Sequence, residues 1–193
     1  MEQIGAPLAL VGLGASLGDR WASLALAVRL LALRPGISLL ALSRVYRTPP
    51  WGGVARNPFL NAVVLLRTTL DPDGLLRACQ HIEHRLGRRA GLRWGDRVLD
   101  LDLLWIEHRV IERAYFRLPH PRIAERSFVM RPLMDVLPGA VNPRSGRTFL
   151  AEHQALFPRA ALPRPVAVGV LPRPPGHKGD RRDTTQNGLG RTP

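Results

Sequence analysis

The run Arg97-Val-Leu-Asp-Leu-Asp-Leu-Leu, residues 97–104, carries the residue types with the clearest chemical potential. In an extended strand, alternate side chains share one face. Asp100 and Asp102 therefore point one way, and Leu99, Leu101 and Leu103 point the other. Their Cα atoms stand about 6.6 Å apart, two strand rises. Two carboxylates side by side on an apolar strand repel each other and resist burial, so something must offset their charge. One solution is a solvated sheet face on which they pair with Arg88 or Arg97. The other is a hard cation, since Mg²⁺ takes one or two protein carboxylates together with substrate phosphates.

The segment before the acids, residues 88–97, is rich in arginine. Guanidinium forks match phosphate oxygens, so this loop suits a polyphosphate. Carboxylates for a metal, arginines and a flexible loop form the equipment of phosphoryl-type transfer, which needs positioning and charge neutralisation rather than a covalent nucleophile. A second stretch, residues 10–20, places Gly12, Gly14 and Gly18 after an apolar run. It is not a Walker loop, because Gly18-Asp19-Arg20 stands where Gly-Lys-Ser/Thr is required. A dinucleotide fingerprint expects an acid near the end of the second strand, and residues 21–70 contain none, although Arg34 or Arg44 could take an NADP phosphate. We read these glycines as letting the first strand leave the sheet and turn into the first helix.

The elements that must position these groups follow from pattern. Residues 7–13 read as a buried strand. Asp19 caps a helix to about Leu33, which Pro35-Gly36 ends. Residues 37–48 read as one long strand, 49–58 as a Pro/Gly loop and 59–70 as another strand. Asp71 caps the next helix, Pro72 suits its first position, and Gly87 stops it. Residues 98–106 are the next strand, and short helices are expected near 127–136 and 147–156. The order β-α-β-β-α-β predicts an α+β, ferredoxin-like sandwich with two helices on one face of an antiparallel sheet. Residues 1–162 are expected to form this domain. Residues 163–193, rich in Pro, Gly and charge, are expected to be disordered.

The chain has 193 residues and a net charge of +13, with Lys178 its only lysine. That charge fits a nucleic-acid surface or an anionic small substrate. The arginines are scattered and aromatics are only 6%, which disfavours a single-strand binder built on stacking. Cys79 is the only cysteine, so no internal disulfide forms. The start lacks a basic region, and the most apolar stretch, residues 23–33, contains Arg29 and is too short to span a bilayer. A cytoplasmic location, without membrane or nucleic-acid partners, is expected.

Six pieces in order resemble a known family. The most specific is Arg93-x-Gly95-x-Arg97-x-x-Asp100-Leu101-Asp102-Leu103-Leu104, supported by SRVYRTPPWGG, FLNAVV, QHIEHRLGR, LPHPR and SFVMRPL. Together they look like 6-hydroxymethyl-7,8-dihydropterin pyrophosphokinase of folate biosynthesis, from about Ala9 to Pro143. The resemblance implies a ferredoxin-like fold and transfer of pyrophosphate from ATP to the pterin hydroxymethyl, releasing AMP. It implies that Asp100 and Asp102 hold two Mg²⁺ ions and that Arg88 and Arg97 bind phosphate. Ser16, Thr48, Pro49, Trp51, Phe59, Asn61 and Phe128 would surround the pterin. Gln80, Glu83, Trp94, His120 and Arg126 would meet ATP. A monomer acting on small molecules is expected. The chain departs from the family at Ala15-Ser16, where Ser-Asn is usual, and at Asp96, where proline or a small residue is usual. Asp96 thus adds negative charge to a loop expected to bind phosphate. That loop is also one residue short, and Pro121 stands where some members place an aromatic. An NADP-dependent reductase and a basic nucleic-acid-binding module are the alternative readings.

Overall fold

The computed structural model describes residues 5–49, 55–87, 95–157 and 166–174. Its main sheet is built from β1 (Leu8–Ala15), β2 (Ile37–Leu42), β3 (Arg44–Thr48), β4 (Phe59–Thr68), β5 (Asp100–Ile106) and a C-terminal strand, Val166–Val170. β1 lies inside the sheet, antiparallel to β4 on one side and β5 on the other. The long strand expected over residues 37–48 is broken at Ser43, and both halves pair with β4. The cause is the Ser43 side chain, which is fully buried. Its hydroxyl donates to the Arg44 carbonyl at 2.7 Å and accepts the Val63 N–H at 2.9 Å, replacing a backbone rung. With β2 and β3 taken as one bent strand, the order is fourth-first-third-second, the ferredoxin-like arrangement.

Helices cover both faces. α1 (Arg20–Ala32) begins where the Asp19 carboxylate accepts the Ala22 N–H. α2 (Pro72–Arg85) begins where Asp71 accepts the Gly74 N–H. Each carboxylate satisfies a first-turn donor and complements the helix dipole. Both helices press apolar stripes, among them Leu24, Val28, Leu31, Leu75 and Cys79, onto Val11, Leu13, Val64 and Leu101 of the sheet. The other face is covered by α3 (Ser127–Val136) and α4 (Phe149–Leu156), whose Val129, Met130, Leu133 and Phe149 pack on Leu10, Val63, Leu65 and Leu104. The sandwich therefore has three layers, one more than its element order suggests. A small hairpin absent from the expected order, β6 (Ile111–Arg113) and β7 (Phe116–Leu118), follows β5.

The C-terminal strand, β8, corrects the expected boundary at residue 163. Val166–Val170 pairs antiparallel with β3, extending the sheet at its edge. Leu171 is buried in the core beneath α1 and α2. Gly169 has φ +154°, and a Cβ there would meet the Trp21 ring at 2.7 Å, so only glycine lets the strand lie this close. The Pro/Gly-rich composition concealed a strand that pairs with β3 and lies against a tryptophan distant in sequence. Residues 175–193 of the expected tail lie outside the described residues.

Candidate active site

A cavity of about 550 Å³ opens on the α3 side of the sheet, and its floor is made of missing side chains. Gly14 of β1 pairs with Asn61 of β4 on one side and Asp100 of β5 on the other. Gly12 pairs likewise with Val63 and Asp102. Paired residues point to the same face, so the two glycines leave a trough between the β4 side chains and the β5 carboxylates. It is tightly drawn: a Cβ at Gly14 would lie 3.3 Å from Asn61 Oδ1, and one at Gly12 would lie 3.3 Å from Leu104. Gly12 and Gly14 thus sit inside the strand rather than at a turn, contrary to the sequence reading, and cradle no phosphate at a helix N-terminus. Only Gly18, at φ +61°, serves the turn into α1.

The β4 side of the trough carries Phe59 and Asn61, with Thr48 and Pro49 beside them at the end of β3. The buried Asn61 amide donates to Thr48 Oγ1 at 2.8 Å, which fixes its orientation and turns Oδ1 toward Gly14. Phe128, in the first turn of α3, also lines the cavity, with the Arg126 guanidinium 5.5 Å from its ring centroid.

The β5 side is charged. Arg97 reaches Asp100 at 3.4 Å, the side chains 24% and 31% exposed. Arg126 reaches Asp102 at 3.4 Å, the arginine nearly covered and the aspartate 38% exposed. Burial pulls Arg126 below the usual guanidinium value, while Asp102 opposes that shift. His120 is pushed down to about 4, first by burial and then by Arg126 and Arg122. Its ring is neutral at pH 7. Its Nδ1 accepts the Arg122 N–H at 3.2 Å, which assigns the ring proton to Nε2.

Ten of the expected site residues therefore line one cavity: Thr48, Pro49, Phe59, Asn61, Arg97, Asp100, Asp102, His120, Arg126 and Phe128. Three others stand elsewhere. Ser16 is buried outside the lining and accepts the Arg97 N–H on its hydroxyl at 2.9 Å. Glu83 is 2% exposed and accepts the Leu101 N–H at 2.8 Å, so it binds α2 to β5 instead of presenting a carboxylate to a nucleotide. Gln80, three residues earlier on α2, is exposed and away from the lining. Trp51, Arg88 and Trp94 lie outside the described residues. The cavity also includes Tyr115, which sequence reasoning passed over. The residue is 70% exposed, and its hydroxyl accepts from Arg113 at 3.0 Å and donates to Asp73 at 3.2 Å. Arg113 also pairs with Asp73 at 2.6 Å, pinning the β6–β7 hairpin to the start of α2. The only signal was an aromatic in a polar segment.

Comparison with known proteins converges on one family. The model of 7,8-dihydro-6-hydroxymethylpterin-pyrophosphokinase (HPPK) matches residues 10–138. A 2-amino-4-hydroxy-6-hydroxymethyldihydropteridine pyrophosphokinase of Methylorubrum extorquens is 47% identical over 133 residues, covering 69% of this chain and 84% of that protein. Its namesake in Bacillus subtilis is 40% identical over 67% of this chain and 77% of that protein. The fold also superposes on a crystal structure of an HPPK-DHPS protein in complex with substrates, with TM-score 0.62 over 79% of this chain at 11% identity. There the chain spans only 44% of the larger protein's length. By sequence along most of its folded body, and by fold, this chain belongs to the 7,8-dihydro-6-hydroxymethylpterin-pyrophosphokinase family.

Proposed function

We infer that the chain transfers the pyrophosphoryl group of ATP to the hydroxymethyl of 6-hydroxymethyl-7,8-dihydropterin, giving AMP and the pterin diphosphate in folate biosynthesis. Family membership supports the reaction. The observation that carries the assignment of roles is the trough itself. Across two glycines it faces an aromatic and amide wall with a wall of carboxylates, arginines and a neutral imidazole.

A flat heterocycle with a polar edge suits the first wall. Phe59 and Phe128 offer ring faces, and Asn61 Oδ1, fixed by Thr48, accepts an N–H from the heterocycle's edge. Pro49 and, on our proposal, Ser16 and Trp51 complete that side, with Ser16 acting through its hold on Arg97. The second wall suits a triphosphate. Both the Arg97–Asp100 and Arg126–Asp102 pairs are long, at 3.4 Å, with partly solvated aspartates, and the first, in which both side chains are partly exposed, is worth at most about 1 kcal/mol. Phosphate oxygens arriving in the trough can therefore draw both guanidinium groups into stronger charge-assisted bonds. His120 adds a neutral Nε2–H donor. Arg88 joins Arg97 at the phosphates, and Trp94 packs on the nucleotide. Gln80 and Glu83 support the ATP side from α2, Glu83 by holding β5 in place.

The carboxylate pair also fits two Mg²⁺ ions. Asp100 and Asp102 present hard oxygens on one face of the trough, beside the phosphate side. Among the described residues no group of three or more His, Cys, Asp or Glu gathers, and Mg²⁺ bound with its substrate needs only one or two carboxylates. When bound, it would neutralise triphosphate charge. The pterin hydroxyl oxygen then bonds to the β-phosphorus, the bond from that phosphorus to the bridging oxygen of AMP breaks, and the hydroxyl proton passes to solvent. The enzyme acts as a monomer on small molecules, in the cytoplasm and without a nucleic-acid partner. No helix among the described residues is long and apolar enough to cross a membrane.

An assay of AMP formed from ATP, Mg²⁺ and the hydroxymethyl pterin tests this reading. The wild-type chain releases AMP only with pterin present. Asp100→Ala and Asp102→Ala lower turnover by more than about 100-fold, the scale of phosphate charge neutralisation, with an unchanged circular dichroism spectrum. Near-normal turnover in either variant rejects the metal assignment, and no AMP from the wild type rejects the reaction.

A further inference from the structure

We propose that Asp96 is a positioning residue that locks the pterin-side wall of the cavity to its phosphate side. The two walls rise from β4 and β5, which are separated by β1, a span of about 10 Å. Residues 55–58 lead into β4, with its Phe59 and Asn61. Residues 95–99 lead into β5, with its two aspartates. Nothing in the sheet itself joins these two lead-in segments, because each begins where ladder pairing with β1 ends.

Asp96 bridges them. Its Oδ1 accepts the Asn57 backbone N–H at 3.2 Å. Its Oδ2 accepts the Arg56 N–H at 3.3 Å and the Asn57 side-chain amide at 2.9 Å. Between the two segments, the chain leaving β1 is tied to the same place. Ser16 N and Leu17 N both donate to the Arg97 carbonyl, at 2.8 and 3.0 Å, and Ser16 Oγ accepts the Arg97 N–H. Three segments are thus knotted at residues 16–17, 56–57 and 96–97. Gly95 and Arg97 both line the cavity and Asp96 does not, so the carboxylate points away from the phosphate site. Burial alone would raise its pKa, but hydrogen bonds from Asn57, Arg56 and Ser16 outweigh that and hold it below the usual carboxylate range. Its charge is directed at these donors rather than at substrate phosphate, contrary to the repulsion expected from the sequence.

The role in catalysis rests on the pyrophosphokinase reading; the lock itself does not. Two readouts therefore test it, one without substrate. In the free protein, amide hydrogen exchange at Arg56 and Asn57 should be slow in the wild type and at least about tenfold faster in Asp96→Ala, the scale of losing one or two hydrogen bonds. In the AMP assay, Asp96→Ala should raise KM for the pterin about tenfold with a smaller change in kcat. Asp96→Asn, which keeps one acceptor, should fall between the two. Equal exchange in wild type and Asp96→Ala overturns the lock. Unchanged KM beside a lowered melting temperature leaves Asp96 a plain stabiliser and overturns its positioning role. A lower KM for ATP in both variants shows that the charge opposes phosphate and also overturns it. An inactive wild type with the exchange difference intact refutes the reaction and supports the lock.

Discussion

At the scale of single residues, the site depends on protonation and on absent side chains. His120 shows the first. Its folded-state pKa is depressed, so between about 6.5 and about 4 the unfolded chain binds a proton that the folded chain refuses. Its contribution to stability is complete above the unfolded value and is lost as pH falls through that window. Proton NMR of the free protein should show the His120 ring uncharged until about pH 4, and a midpoint near 6.5 would mean that the ring is solvated. Gly12 and Gly14 show the second, since the trough exists because β1 has nothing to place between Asn61 and Asp100. The aspartate pair was legible in the sequence because strand alternation alone puts both on one face. Glu83 was not. Its spacing on a helix looks solvated, and only the packing of α2 on β5 gives it a backbone N–H to receive.

Among elements, legibility followed the locality of the cause. Both helix starts were readable because Asp19 and Asp71 act on amides three residues away. The end of α2 at Gly87, with φ +90°, is equally local. The break between β2 and β3 was hidden, because it depends on Ser43 finding Val63 across the sheet. Ser43→Ala removes the acceptor and leaves a buried Val63 N–H unpaired, at a cost of about 1–3 kcal/mol. Calorimetry should record a melting temperature lower by about 2–4 °C for each kcal/mol lost. An unchanged melting point would mean that the two half-strands rejoin without the hydroxyl. The β6–β7 hairpin also escaped notice, because three-residue strands leave no periodic pattern and what holds them is distant in sequence: Phe116 and Leu118 enter the core, Arg144 donates to the Leu118 carbonyl, and Arg113 and Tyr115 reach Asp73.

Over the whole molecule, the C-terminal segment departs furthest from its composition. Removing everything after Pro163 deletes β8 together with the buried Leu171 and uncovers the core and the Trp21 ring that they cover. Loss of the Leu171 contact alone is worth about 2 kcal/mol, so the truncated chain should melt several degrees lower. An equal melting point would show that β8 contributes nothing to the body. The strand also determines what the molecule shows its neighbours in solution. A free sheet edge is a template on which other chains can grow, and β2 with β3 would present one running from residue 37 to 48. β8 replaces the β3 part of it with a five-residue strand, after which Pro172 and Pro174 have no N–H to donate. The segment thereby covers the β3 edge and leaves a shorter strand in its place. Light scattering at rising concentration should therefore separate the two forms, the full chain staying clear where the truncated one turns turbid.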